Sequence, residues 1–212
     1  MIRILFLLFS SLLFAQQKIT PQYIDSEITK ADNFFKNGKT NECIKANIII
    51  LNNSNKIEYS KGIVASCINL ATRYFFAGNH SKSLFYLKLA EKERYTQNSI
   101  SNQITILTLH SYNYMNIGLY KEAINEFEEI ITLSDQMTDD KAKIKSKSEA
   151  YYNMGLIYRR NNKCDSAALY TDKAIHILQS QKKLNSELKN NLVWFLLESI
   201  ELKIDEKKNR FC

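Results

Sequence analysis

A single proline and five glycines serve a chain of 212 residues. That shortage excludes two broad classes. Disordered or loop-rich chains need far more of both residues, and a protein built from many short strands needs turn residues between them. Long helices remain. The sequence also lacks GxSxG, HExxH, P-loop and GxGxxG motifs, so the common hydrolase, metalloprotease and nucleotide-binding devices are missing. His80, His110 and His176 stand far apart, with no cysteine or acid at metal-ligand spacing. Cys43, Cys67, Cys164 and Cys212 include no CxxC pair. No catalytic residue, cofactor or metal site is expected, and the chain is not expected to be an enzyme.

Charge excludes little and suggests little. The net charge is +7, but the densest basic run, Lys141, Lys143, Lys145 and Lys147, falls on every second residue and spreads around a helix. Nucleic-acid binding wants a coherent basic stripe with aromatics in reach, so no nucleic-acid partner is expected. Glu126, Glu128 and Glu129 read as a solvated helix face. Asp139 and Asp140 fit the start of a helix, where the dipole favours anions.

The first residues, MIRILFLLFSSLLFAQQ, carry Arg3 followed by an apolar stretch from Ile4 to Ala15. A bilayer span needs roughly 20 residues, so this stretch is short for one. A basic start, an apolar centre and small Ala15 before polar Gln16 predict a secretory signal peptide over 1–15 and an exported, periplasmic or secreted protein. Residues 16–212 then form a single domain with no further membrane span.

Three segments align: 70–90, 110–130 and 154–174, with a weaker fourth at 30–50. A small residue is followed three later by an aromatic: Ala31 and Phe34, Ala71 and Tyr74, Ser111 and Tyr114, Gly155 and Tyr158. Four residues on comes a turn residue: Gly38, Gly78, Gly118 and Asn162. Five further on comes another small residue: Cys43, Ser83, Ala123 and Ala167. Seven beyond lie Ile50, Ala90, Ile130 and Ala174. In this pattern the small residues permit close helix packing, and glycine supplies left-handed turn angles. It resembles the tetratricopeptide repeat, with GLYKEAINEFEEI its clearest match. The steps from Ala31 to Ala71 to Ser111 are 40 residues each, and 44 follow to Gly155. The usual period is about 34, so this is a long-repeat type, and the proline near each repeat end is missing.

The resemblance implies an all-α fold, a right-handed α-solenoid of about four helix pairs over 22–57, 62–97, 102–137 and 146–181. A capping helix over about 184–208 should turn Leu188, Leu192, Phe195, Leu196, Ser199 and Leu202 inward and Lys and Glu outward. It further implies that the first (A) helix of each pair lines a concave groove that holds a protein or peptide. The projected groove residues are Ile68, Asn69, Thr72, Phe75 and Phe76; Thr108, Leu109, Tyr112, Met115 and Asn116; and Tyr152, Asn153, Leu156, Arg159 and Arg160. The aromatic residues would give contact area, the asparagines would bond a peptide backbone, and the arginines would meet a carboxylate. Asn69 matches one position of the family's carboxylate clamp, but Ile28 and Asp32 stand where Lys and Asn would be needed. A scaffold or adaptor is the expected function. The alternative is an extracytoplasmic ligand- or peptide-sensing component, related to the sensor half of a membrane-anchored regulator. Export would permit disulfides, Cys43 with Cys67 and Cys164 with Cys212 first, with buried free thiols the other outcome.

Overall fold

A computed structural model describes residues 18–209, with side chains described as far as Ile204. The expected signal peptide and Cys212 lie outside the described residues. Among the described residues ten helices follow one another: α1 (Pro21–Lys36), α2 (Thr40–Lys56), α3 (Ser60–Phe76), α4 (His80–Glu91), α5 (Arg94–Gln97), α6 (Ile100–Asn116), α7 (Tyr120–Ser134), α8 (Asp140–Arg160), α9 (Cys164–Gln179) and α10 (Ser186–Asn209). The described residues contain no strand. Helices α1/α2, α3/α4, α6/α7 and α8/α9 form four hairpins, and each hairpin packs on the next. The result is an α-solenoid closed by α10. The one-turn α5 is additional to the expected helices and fills the long link between the second and third pairs. Helix α8 begins at Asp140, six residues before the fourth repeat was expected, because Asp139 caps it by accepting from the backbone N–H of Lys141 and Ala142 at 2.9 and 3.3 Å.

The repeat pattern explains the packing. Ala31, Ala71, Ser111, Cys43, Ser83, Ala123 and Ala167 are all at most 2% exposed, so the small places are where helices cross. At Gly155 a Cβ would stand 2.7 Å from Thr171 Oγ1 and 3.2 Å from the Ala167 carbonyl oxygen. The turn residues Gly38, Gly78, Gly118 and Asn162 all have φ between +55° and +81°. At the first turn Gly38 and Lys39 donate back to the carbonyls of Phe35 and Phe34 at 2.9 Å each, the double bond that ends a helix in a Schellman turn. Tyr74 stacks on Tyr86 at 5.6 Å and Tyr158 on Tyr170 at 5.1 Å, fixing the second and fourth hairpins through their marker aromatics. Four apolar clusters run along the array. The largest joins Ile104, Leu107, Phe127 and Ile130 of the third pair to Ala150, Met154 and Ile157 of the fourth.

Two expectations are corrected. Helix α10 does bury Leu188, Phe195 and Leu202, but its outer side is not polar: Val193, Trp194, Leu197 and Ile200 are 46–64% exposed. The expected Cys43–Cys67 bridge is not formed. Cys43, Cys67 and Cys164 are free thiols. Cys43 sits beside the Asn47 side chain, whereas Cys67 packs among Ala71, Leu87 and Ala90, where burial pushes its thiol up to about 12.

Candidate binding groove

The A helices α3, α6 and α8 line a cavity of about 370 Å³. Ile68 and Thr72 come from α3. Ser101, Ile104, Thr105, Thr108 and Leu109 come from α6. Ala142, Lys145, Ser146 and Glu149 come from α8, and Met137 closes one end from the preceding turn. The walls are mostly hydroxyls and aliphatic carbons. Thr72, Thr105 and Thr108 bond back to carbonyls one turn earlier, at 2.8, 2.9 and 2.7 Å, so their hydroxyls are satisfied within their own helices.

One end is charged. Burial lifts the Glu149 carboxyl above the usual carboxylate range, against the pull of Lys145 and a hydrogen bond from Asn191. Asn191 Nδ2 donates to Glu149 Oε1 at 2.8 Å. Lys145 also reaches Glu187 at 2.5 Å. The Tyr112 hydroxyl lies near Glu149 and Lys145, and burial raises it. A narrower extension behind it is lined by Thr108, Tyr112, Phe127, Ile130, Ser146, Glu149, Ala150 and Asn153.

The projected residues divide into three groups. Ile68, Thr72, Thr108 and Leu109 line the cavity, and Tyr112 and Asn153 its extension. Phe76, Asn116 and Arg160 are exposed beyond it, Phe76 at 74%. The remaining polar and aromatic candidates hold successive A helices together. Asn69 Nδ2 donates to Asp32 Oδ1 and Asn47 Oδ1 at 3.2 Å each. Phe75 packs on Tyr112 at 6.2 Å. Tyr152 stacks on Phe195 of α10 at 4.3 Å. Arg159 donates to Glu198 at 2.9 Å and Glu201 at 2.8 Å, both on α10. Met115 is buried in the core, and Leu156 packs against it. The projection missed Ser101, Thr105, Lys145 and Glu149. All lie one to three turns before the small residue of their helix. The long period was the available signal, because longer A helices extend the lining towards their N-termini.

A second cavity, of about 240 Å³, opens between the second and third pairs, lined by Glu91, Thr96, Gln97, Gln103, Ile106, Leu107 and Glu129. Beside it Glu126 contradicts the solvated-face reading. Burial, with Glu129 and Glu91 nearby, pushes its carboxyl up to about 7. Its Oε2 is buried with no hydrogen-bond partner among the described residues, and its Oε1 is 3.9 Å from His110 Nδ1. Burial lowers the pKa of His110 from its ordinary value. The described residues hold no cluster of His, Cys, Asp and Glu that could bind a metal ion.

Residues 104–137 match the family model described as tetratricopeptide repeat. Among solved structures, the chain is similar to a crystal structure of MamA protein, with a TM-score of 0.54 and 17% identity over 89% of this chain and 96% of that one. A second MamA crystal structure matches with a TM-score of 0.51 and 18% identity over 84% and 96% of the two chains. A tetratricopeptide repeat protein from Parabacteroides merdae matches with a TM-score of 0.43 and 14% identity over 82% and 71%. No curated protein matches the sequence. The third hairpin thus matches a tetratricopeptide repeat, and the chain takes the tetratricopeptide-repeat fold.

Proposed function

We propose that this protein is a non-catalytic adaptor that holds an extended or helical peptide of a partner protein in the cavity between α3, α6 and α8, and that it works outside the cytoplasm. The supporting observation is the cavity itself. Three successive A helices open onto it, its walls are serine, threonine and aliphatic side chains, and one end carries half-buried Glu149 beside Lys145. Such a mix gives apolar contact with a few polar anchors. The Arg3-led apolar stretch supports export. The test is paired affinity capture from envelope extract of the source organism. One bait is the chain itself. The other carries Thr72→Gln and Thr105→Gln, which fill the cavity while keeping good helix formers. A protein retained by the first and lost by the second supports the reading, and equal retention refutes it.

The cavity volume favours one second reading, a small-ligand sensor, since about 370 Å³ falls within the range of small-molecule sites. Under that reading no protein is retained specifically, and a small molecule raises the melting temperature of the wild type but not of the filled variant.

A further inference from the structure

The outer face of α10, the last helix among the described residues, is apolar. A helix that caps a repeat array normally turns a polar side to solvent. Here Val193, Trp194, Leu196, Leu197, Ile200 and Ile204 are 56, 64, 38, 46, 55 and 46% exposed. Six side chains of this size, about half uncovered, leave on the order of 500 Å² of apolar surface, near the upper end of what a monomer shows.

The rim is basic. Lys182, Lys183, Lys189 and Lys203 are exposed at this end and make no ion pair among the described residues. Of the acids on α10 whose side chains are described, Glu187 is engaged by Lys145 and both Glu198 and Glu201 by Arg159.

The register shows what does not fit there. Count each A helix from its small residue. Several contacts between successive A helices then join a place on the earlier helix to one three residues nearer the N-terminus on the later helix. Asp32 meets Asn69, and Phe75 meets Tyr112, with this offset. Glu149 with Asn191, and Lys145 with Glu187, keep it when α10 is counted from Ile200. In α8 the small place and the place three later face its own B helix: Gly155 lies against Thr171, and Tyr158 stacks on Tyr170. In α10 those places hold Ile200 and Lys203. A further helix seated like the earlier B helices would meet a bulky side chain at the crossing and a lysine in place of the stacking ring. A second copy fits poorly as well. A stable dimer buries about 800 Å² per partner, and the copy would bring its own lysines to the same rim.

We propose that this face docks on an anionic lipid surface. The apolar stripe would enter the interface, Trp194 would sit at its edge, and the lysines would meet lipid phosphates. Aliphatic and Trp side chains beside lysines are the composition of an interfacial helix, and each lysine near such a surface adds attraction that salt screens.

Trp194 is the only tryptophan of the chain, so its emission reports this face and no other. The full chain is titrated with vesicles of phosphatidylcholine alone, and with vesicles containing about one-third phosphatidylglycerol. The expected result is a blue shift with the anionic vesicles only, abolished by high salt. Lys189→Glu with Lys203→Glu, or Leu197→Ser with Ile200→Ser, should weaken vesicle affinity at least about tenfold. These side chains are exposed, and an unchanged helical circular-dichroism spectrum verifies folding. Four results overturn the proposal: emission unchanged while the chain co-floats with vesicles, which places the attachment elsewhere; an equal shift with neutral lipid; a shift that follows protein concentration without vesicles, which identifies a second copy; or emission already blue-shifted in dilute protein, which means another segment of the chain covers the face.

Discussion

At the residue scale, packing decides more than charge. Gly155 is one of the small crossing residues, and its replacement tests how tightly α8 and α9 meet. Gly155→Ala should lower stability by about 1–3 kcal/mol, because a Cβ would press on Thr171 Oγ1 and the Ala167 carbonyl. Chemical denaturation measures it, and a stabilised variant, the usual result for Gly→Ala in an open helix, would contradict the packing. Glu126 offers a test of burial. Its folded pKa of about 7 lies above the ordinary 4.5, so the fold favours its protonated form. The stability it contributes is full below about 4.5 and is lost as pH rises through about 7. His110 works in the opposite direction, since its pKa is lowered from 6.5 and its contribution is lost as pH falls. Glu91, which faces both, is common to wild type and variant. The difference between Glu126→Gln and wild type therefore isolates the carboxyl. Melting temperatures should nearly coincide at about pH 4, and the variant should melt higher at about pH 8. A pH-independent difference would show that Glu126 is solvated in the fold. The sequence could not show this burial. Glu126 lies one turn from both Ala123 and Ile130, at the edge of the buried stripe of α7, and its cover comes from neighbouring helices, with His110 of α6 3.9 Å away.

At the element scale, the sequence carried the register well, because the small, aromatic and turn places repeat and each has one physical use. It also carried the inner face of α10: Leu188, Phe195, Ser199 and Leu202 are buried and Leu192 packs beside them, whereas Leu196 is exposed. It did not carry the outer face, where Val193, Leu197, Ile200 and Ile204 stand, nor the polar contacts that seat the helix. Arg159, which sequence reasoning assigned to a ligand carboxylate, has found Glu198 and Glu201 within the chain. Glu198 is 8% exposed, so Arg159→Ala leaves a buried carboxylate without this cation, at a cost of about 1–3 kcal/mol. Amide exchange over residues 186–204 should accelerate while the first three hairpins keep their protection. Unchanged exchange in α10 would mean that Tyr152, the apolar cluster and the Glu149 and Lys145 contacts hold it without Arg159.

At the scale of the whole molecule, a one-dimensional stack gives each hairpin only its neighbours to lean on. The same residue types that line a groove also serve as the mortar between A helices. This is why Asn69, Tyr152 and Arg159 are structural, while the cavity is lined by less conspicuous threonines and by Lys145 and Glu149. The groove's existence was legible from the repeats. Its floor was not, because the long period moves it towards the N-terminal ends of the A helices. The most direct test of the adaptor reading is photocrosslinking in envelope extract, with a photoreactive residue placed at Thr105 in the cavity or at Glu128 on the exposed side of α7. The account predicts one discrete protein adduct from Thr105 and none of the same size from Glu128. The same adduct from both, or from Glu128 alone, would contradict it.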